Sequence, residues 1–161
     1  MLGVYLVRFK QFGTSMLATM HWGIFVAEPN GDLFEEDIPN TGFLFHASGD
    51  CLTCLAPCTD ISNETKYRAP EEFRPHRSKN FHDFLFLSKT STEVDKIHQI
   101  CRSVTSGRDW NMITSNCQVW VKQIVSKLID NGHIPPDALE KMETNNWKTL
   151  PEQSTDMCGI L

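Results

Sequence analysis

Nothing in the sequence approaches an uninterrupted run of the ~20 apolar residues that a membrane-spanning helix requires, which sets aside a helical integral membrane protein. Positive charge is scarce: 15 Lys+Arg stand against 20 Asp+Glu, for a formal net charge of -5. A protein built to neutralise phosphates needs the opposite sign, so nucleic acid is not an expected partner. Internal repeats, low-complexity tracts and Gly/Pro-rich linkers are missing too, which excludes solenoids, collagen and disordered arrays. One domain over residues 1–150 with a polar tail over 151–161 is the expected organisation of the 161 residues. The opening MLGVYLVRFKQFG has no basic n-region, and Arg8 and Lys10 break its apolar run, so it reads as a strand of a cytoplasmic protein and not as a secretory signal. Outside a secretory context the six cysteines are expected to be free thiols and not a disulfide framework.

Hydrophobic periodicity then organises the chain. Met16, Ala18, Met20, Trp22, Ile24 and Val26 alternate with period two, the mark of a strand with one face on a core, which turns His21 to the opposite face. Gly42 to Ala47 reads as another strand, carrying His46, and Phe81 to Leu87 as a further one, carrying His82. Between them, Cys51 to Lys79 is a long polar connection with Lys66, Arg68, Arg74, Arg77 and Lys79, expected to be a solvated loop. A helix follows Ser91-Thr92, with an apolar face of Val94, Ile97, Cys101 and Val104 and a stop at Ser106-Gly107. A second helix carries Val121, Ile124, Val125, Leu128 and Ile129 at helical spacing and ends before Asn131-Gly132 and Pro135-Pro136. Ser115 and Gln118 fit a capping box at its start and put Cys117 in the first turn, four residues before Val121 and on the same side. The fold class expected is α+β: a small antiparallel sheet packed on a helix with a cysteine at its N-terminus.

A cysteine attacks as thiolate, and a helix N-terminus stabilises that anion through its unpaired N–H groups and the dipole. Cys117 packed on a sheet that carries His21 and His46 assembles a nucleophile, a base and an orienting group, and the same N–H groups suit an oxyanion. The plain alternatives are a buried core cysteine and strand histidines with satisfied hydrogen bonds; His82 is the other candidate for the third position, and Asn116 reads as a helix-start residue. Trp22 and Trp120, with Trp110, are candidate substrate-binding walls, against the commoner role of core aromatics. Cys51-x-x-Cys54-x-x-x-Cys58 lacks a second cysteine pair and would need His76 or His82 as fourth ligand, so free thiols are expected there, with no metal and no cofactor.

The motif His21-Trp-Gly-Ile-Phe-Val26, a following strand with Phe45-His46, and Thr114-Ser-Asn-Cys-Gln-Val-Trp-Val121 resemble the lecithin:retinol acyltransferase and HRAS-like suppressor proteins. These form a circularly permuted, NlpC-related branch of the papain-like superfamily, in which His precedes Cys. The resemblance implies His21 as general base, His46 as the orienting residue and Cys117 as the acyl-accepting nucleophile. It runs through residues 16 to 50 and 110 to 130. This chain departs from it after Asn116-Cys117, where Gln118-Val119-Trp120 replaces the usual Glu-His-Phe, and in the long acidic insertion between the two histidines. The expected activity is a cysteine-dependent acyl transfer, by hydrolase or acyltransferase, on an amide, ester or thioester of lipid or peptide-like character. The alternative is a catalytically inactive module of the same fold that recognises a lipid or protein partner. Cys158-Gly-Ile-Leu161 fits the geranylgeranylation pattern without a polybasic run before it, so weak, reversible membrane association through Cys158 is the accompanying expectation.

Overall fold

The structure is a computed structural model that describes residues 1–11, 20–29, 31, 35–49, 64–111 and 115–153. Five strands, β1 (Leu2–Phe9), β2 (His21–Ala27), β3 (Gly42–Phe45), β4 (Glu71–Phe73) and β5 (Phe81–Thr90), form one antiparallel sheet in the order β4-β3-β2-β1-β5. Three helices follow: α1 (Val94–Thr105), α2 (Cys117–Asp130) and α3 (Asp137–Thr144). Strands first and helices later is the α+β order, with the helices gathered on one face of the sheet.

β1 is apolar at both parities, as a strand covered on both faces must be. Val4 and Leu6 join Trp22, Ile24, Val26 and Phe45 beneath Ile97, Cys101, Trp120, Val121, Ile124, Val125 and Leu128 of the helices. Tyr5 and Val7 face the other way, into a smaller cluster with Phe25, Ala27, Ile38 and Leu44. Arg8 continues the even series at 5 % exposure. Its charge is met by Asp83, with Nε donating to Oδ1 at 2.8 Å and Nη2 to Oδ2 at 2.6 Å, and its guanidinium lies 3.9 Å from the Trp147 ring centroid.

Several boundaries differ from those the sequence predicts. The long polar connection contains a strand, β4, paired with β3 through Gly42↔Phe73, Phe43↔Glu72 and Leu44↔Glu71, and a 3-10 turn, Pro75–Arg77. Three residues with two exposed glutamates carry no readable period, so only the sheet edge shows that this is a strand. β5 runs on to Thr90, and α3, absent from the sequence reading, starts directly after Pro135-Pro136 and buries Ala138 and Met142. A helical turn over 150–153 crosses the expected domain end, with Glu152 bonded to Lys122 of α2. Helix α2 ends as expected, with Gly132 at φ 73°, a left-handed conformation that favours glycine. The even positions Met16 and Ala18, the residues Cys51, Cys54 and Cys58, and the tail with Cys158 lie outside the described residues. No described helix is long and apolar enough to cross a membrane.

Candidate active site

Helix α2 opens at Cys117, but the cap is Asn116 and not Ser115. The Asn116 side-chain oxygen accepts from the backbone N–H of Gln118 at 3.0 Å and of Val119 at 3.1 Å. Ser115 instead donates to the carbonyl of Asp109 at 2.8 Å. Gln118 has a different task from the reciprocal cap the sequence suggests. Its side-chain amide donates to the carbonyl of Met20 at 3.0 Å and its oxygen accepts from the backbone N–H of Leu150 at 2.8 Å. Because Met20 immediately precedes β2, this buried bond pins the start of α2 to the entrance of the strand that carries His21. The backbone N–H of Trp22, next in sequence to His21, accordingly helps to hold the pKa of the Cys117 thiol down.

His21 and His46 come together across the sheet. Ile24 pairs with Phe45, so His46, one residue further on, stands diagonally across from His21, within reach of ring-sized side chains. The His21 Nε2 to His46 Nδ1 distance is 3.0 Å, with the rings nearly perpendicular at 83°. On its other side, His46 Nε2 lies 3.5 Å from the Glu71 carboxylate of β4. His82 sits exposed on β5, beyond β1, and does not enter this chain.

The three groups fix one another's protons. A carboxylate beside His46 Nε2 favours the tautomer with its hydrogen there, which leaves Nδ1 as an acceptor. His21 then donates from Nε2, and its Nδ1 carries the lone pair. That nitrogen is the one able to take a proton from a thiol. Glu71 was not legible as a site residue, since it lies in the stretch that reads as a solvated loop.

Burial dominates the electrostatics. It pushes the imidazolium of His21 down from 6.5 to about 3, with the neighbouring His46 adding to the shift. Burial also pushes the Cys117 thiol up from 9.0 to about 11, against the opposing pull of the N–H groups of Trp22, Gln118 and Cys117 itself and of the Arg108 charge. The helix start alone suggests a resting thiolate; the site instead holds a neutral thiol and a neutral imidazole, because Cys117 is only 6 % exposed.

The indoles named as substrate walls do not serve as such. Trp22 is 1 % exposed and packs edge-on against Trp147, while Trp120 is 0 % exposed and donates its indole N–H to Thr105 at 2.9 Å. Both are core residues, since neither offers a ring face to solvent. Trp110 does line an open groove of about 760 Å³ beside the start of α2. Among the described residues no group of three or more His, Cys, Asp or Glu side chains is arranged to hold a metal.

A family model matches residues 4–135, and the chain belongs to that family, DUF6540, a family of unknown function. No curated protein matches the chain. No solved structure matches it either.

Proposed function

We propose that this DUF6540 chain is a cysteine-dependent acyl-transfer enzyme of the permuted papain-like type, with Cys117 as nucleophile, His21 as general base and His46 as the residue that orients it. One observation carries this reading: the 3.0 Å bond between His21, the first residue of β2, and His46, the residue after β3. The order of the motifs, His before Cys, supports it through the resemblance to the lecithin:retinol acyltransferase proteins. The neutral pair at rest implies that the proton leaves the thiol as the substrate is attacked.

In the first step Cys117 Sγ bonds to the acyl carbon while its proton passes to His21 Nδ1. The bond from that carbon to the leaving amine, alcohol or thiol then breaks, and His21 returns the proton to the leaving group. Water or another nucleophile attacks the resulting thioester, again losing its proton to His21, which hands it to the departing sulfur. Asn116 occupies the N–H groups of Gln118 and Val119, so the backbone N–H of Cys117 is the helix-start donor suited to the oxyanion. Gln118 has its side chain bonded at both ends and serves as an anchor.

Intact mass spectrometry after exposure to an aryl thioester tests the reading. The expected result is one acyl increment that Cys117→Ala abolishes; an increment that survives the substitution places the nucleophile elsewhere. The depth of Cys117 and its raised pKa favour the second reading, a module that keeps the fold without turnover. Equal, slow alkylation of Cys117 and Cys101 by iodoacetamide at neutral pH would decide for the module.

A further inference from the structure

The chain beyond α3 crosses back over the sheet and α2 and touches the sequence neighbours of both His21 and Cys117. Asn146, two residues past α3, has φ 65°, in the left-handed region that asparagine tolerates, and turns Trp147 toward the sheet. There the Trp147 ring meets Trp22, next in sequence to His21, with centroids 5.1 Å apart and planes at 62°. Arg8 holds the corner in place, with its guanidinium on the same ring and Nη1 donating to the Asn146 carbonyl at 3.4 Å.

Thr149-Leu-Pro-Glu152 then opens a helical turn as a capping box. The Thr149 backbone N–H donates to Glu152 Oε2 at 3.2 Å, and the Glu152 N–H to the Thr149 hydroxyl at 3.4 Å. Pro151 has no N–H, which leaves that of Leu150 as the first-turn donor that the box does not meet, and it goes to Gln118 Oε1 at 2.8 Å. The buried side chain of Gln118, next in sequence to Cys117, is thereby held between Leu150 and the carbonyl of Met20, the residue before His21. Trp147 and Leu150, three positions apart on one strap, thus grip the strand of His21 and the helix of Cys117.

The strap is held at points and not along its length. Open grooves of about 670 Å³ and about 470 Å³ lie against it, and Lys122 and Glu152 stand in the walls of both. Lys122 of α2 donates to Oε1 of Glu152, so one ion pair fastens the capping box to the helix. A part-exposed pair of this kind is weak by itself; it directs a segment whose hold comes from the buried Trp147.

We infer that residues 147–152 are a positioning clamp for the acyl-transfer site: Trp147 seats the head of β2, the Leu150 N–H seats the start of α2 through Gln118, and together they set His21 against Cys117. The inference rests on those two residues being base and nucleophile. No group of the clamp touches the substrate or takes a proton. A misplacement of about 1 Å between reacting groups can cost about a hundredfold in rate, so a bond one residue away from the thiol is able to govern turnover.

The experiment removes one N–H. Proline is accepted at the first position of a helical turn, so Leu150→Pro deletes the donor to Gln118, while Leu150→Ala deletes the side chain and keeps the donor. The full chain is treated with S-phenyl thioacetate; intact mass follows acylation of Cys117 and thiophenol release gives kcat and KM. Relative to Leu150→Ala, Leu150→Pro should lose about tenfold to a hundredfold in kcat at an unchanged KM, with thermal melts checking that both fold. Lys122→Met should lose severalfold in kcat and Lys122→Arg should recover it, because arginine still pairs with Glu152. Equal kcat in the proline and alanine variants, with Cys117 acylated, overturns the clamp and leaves the nucleophile in place, even if the proline variant melts earlier. A loss confined to KM also overturns it, since the strap would then bind the donor. If Leu150→Pro does not fold, the Lys122 variants decide, and equal kcat in Lys122→Met and Lys122→Arg overturns the clamp. Absence of acylation in wild type removes the reading of the site on which the clamp rests.

Discussion

Cys101 and Cys117 are both buried helical cysteines on the same side of one sheet, and their surroundings differ in kind. Cys101 lies in the middle of α1 at 0 % exposure, where the backbone N–H groups are spent on the helix, and its polar company is the hydroxyl of Tyr67, itself bonded to His98 at 2.8 Å. Burial drives its pKa up, against the pull of the Tyr67 hydroxyl and of its own backbone N–H. Cys117 opens α2, so backbone N–H groups and the charge of Arg108 resist the same burial, and its pKa settles at about 11. The contrast shows that burial sets the resting state of both thiols. What separates them is the set of groups that oppose it: three backbone N–H groups and the Arg108 charge at Cys117, against one hydroxyl and one N–H at Cys101.

The sharpest way to break the comparison is to exchange the two residues' fates. Cys117→Ala should abolish acyl-adduct formation, whereas Cys101→Ala should retain it and lose stability of about 1 kcal/mol, measured by denaturant unfolding. Retention of the adduct in Cys117→Ala would falsify the distinction outright.

The proton chain is the next largest effect. His21→Ala should lower kcat by about 10²-fold to 10⁴-fold, the range for loss of a general base. His46→Ala should cost less, about 10-fold to 100-fold, because the base survives and only its orientation and tautomer are lost. His46→Gln should fall between His46→Ala and wild type, since an amide can still hold the ring of His21. Glu71→Ala should cost only severalfold, with His82→Ala silent. Steady-state kinetics of the five variants ranks them, and a His82→Ala defect larger than that of His46→Ala would hand the third position to β5.

Alkylation against pH sharpens the comparison without any substitution. Reactivity follows the thiolate, so iodoacetamide modification of Cys117 should climb about tenfold per pH unit from neutrality toward its raised pKa, and exceed that of Cys101 throughout. Peptide mapping after timed quenching reads both sites at once. A plateau for Cys117 below neutral pH would indicate a resting ion pair with His21 in place of the neutral pair.

The smallest effect is on stability. The folded pKa of His21, about 3, lies below its ordinary 6.5, so the unfolded chain binds a proton that the folded chain refuses. Stability from this group is complete above pH 6.5 and falls as the pH drops from there toward 3, with a slope of at most ~1.4 kcal/mol per pH unit. For Cys117 the sign reverses: the raised pKa makes its contribution complete below pH 9 and lost as the pH rises toward 11. Urea midpoints from pH 3 to 7 should show a gentler slope in His21→Asn than in wild type; identical slopes would mean that the ring is not desolvated.

Local patterns carried much of the reading and failed where partners are distant. The alternation through Trp22, Ile24 and Val26 and the helical spacing of Val121, Ile124, Val125 and Leu128 depend on which face meets the core, and that is written residue by residue. The first-turn position of Cys117 follows from the same spacing, although the cap passed from Ser115 to Asn116, because either residue type can cap and only the backbone entering the helix chooses. Arg8, in contrast, reads as an exposed residue that interrupts an apolar run. It is buried because Asp83, 75 positions away, and Trp147 close over it.

Periodicity and capping chemistry, which are properties of neighbouring residues, suffice to write an α+β chain with a cysteine at a helix start, His21 at the head of a strand and His46 next to another. The folded arrangement is what shows that His46 and not His82 reaches His21, that Glu71 stands behind it, and that Trp22 and Trp120 are core. It also decided that Gln118 ties α2 to Met20 and that the thiol rests protonated. Strand register, edge pairing and depth of burial arise from segments far apart in the chain, and hydrogen-bond partnership and desolvation follow from them.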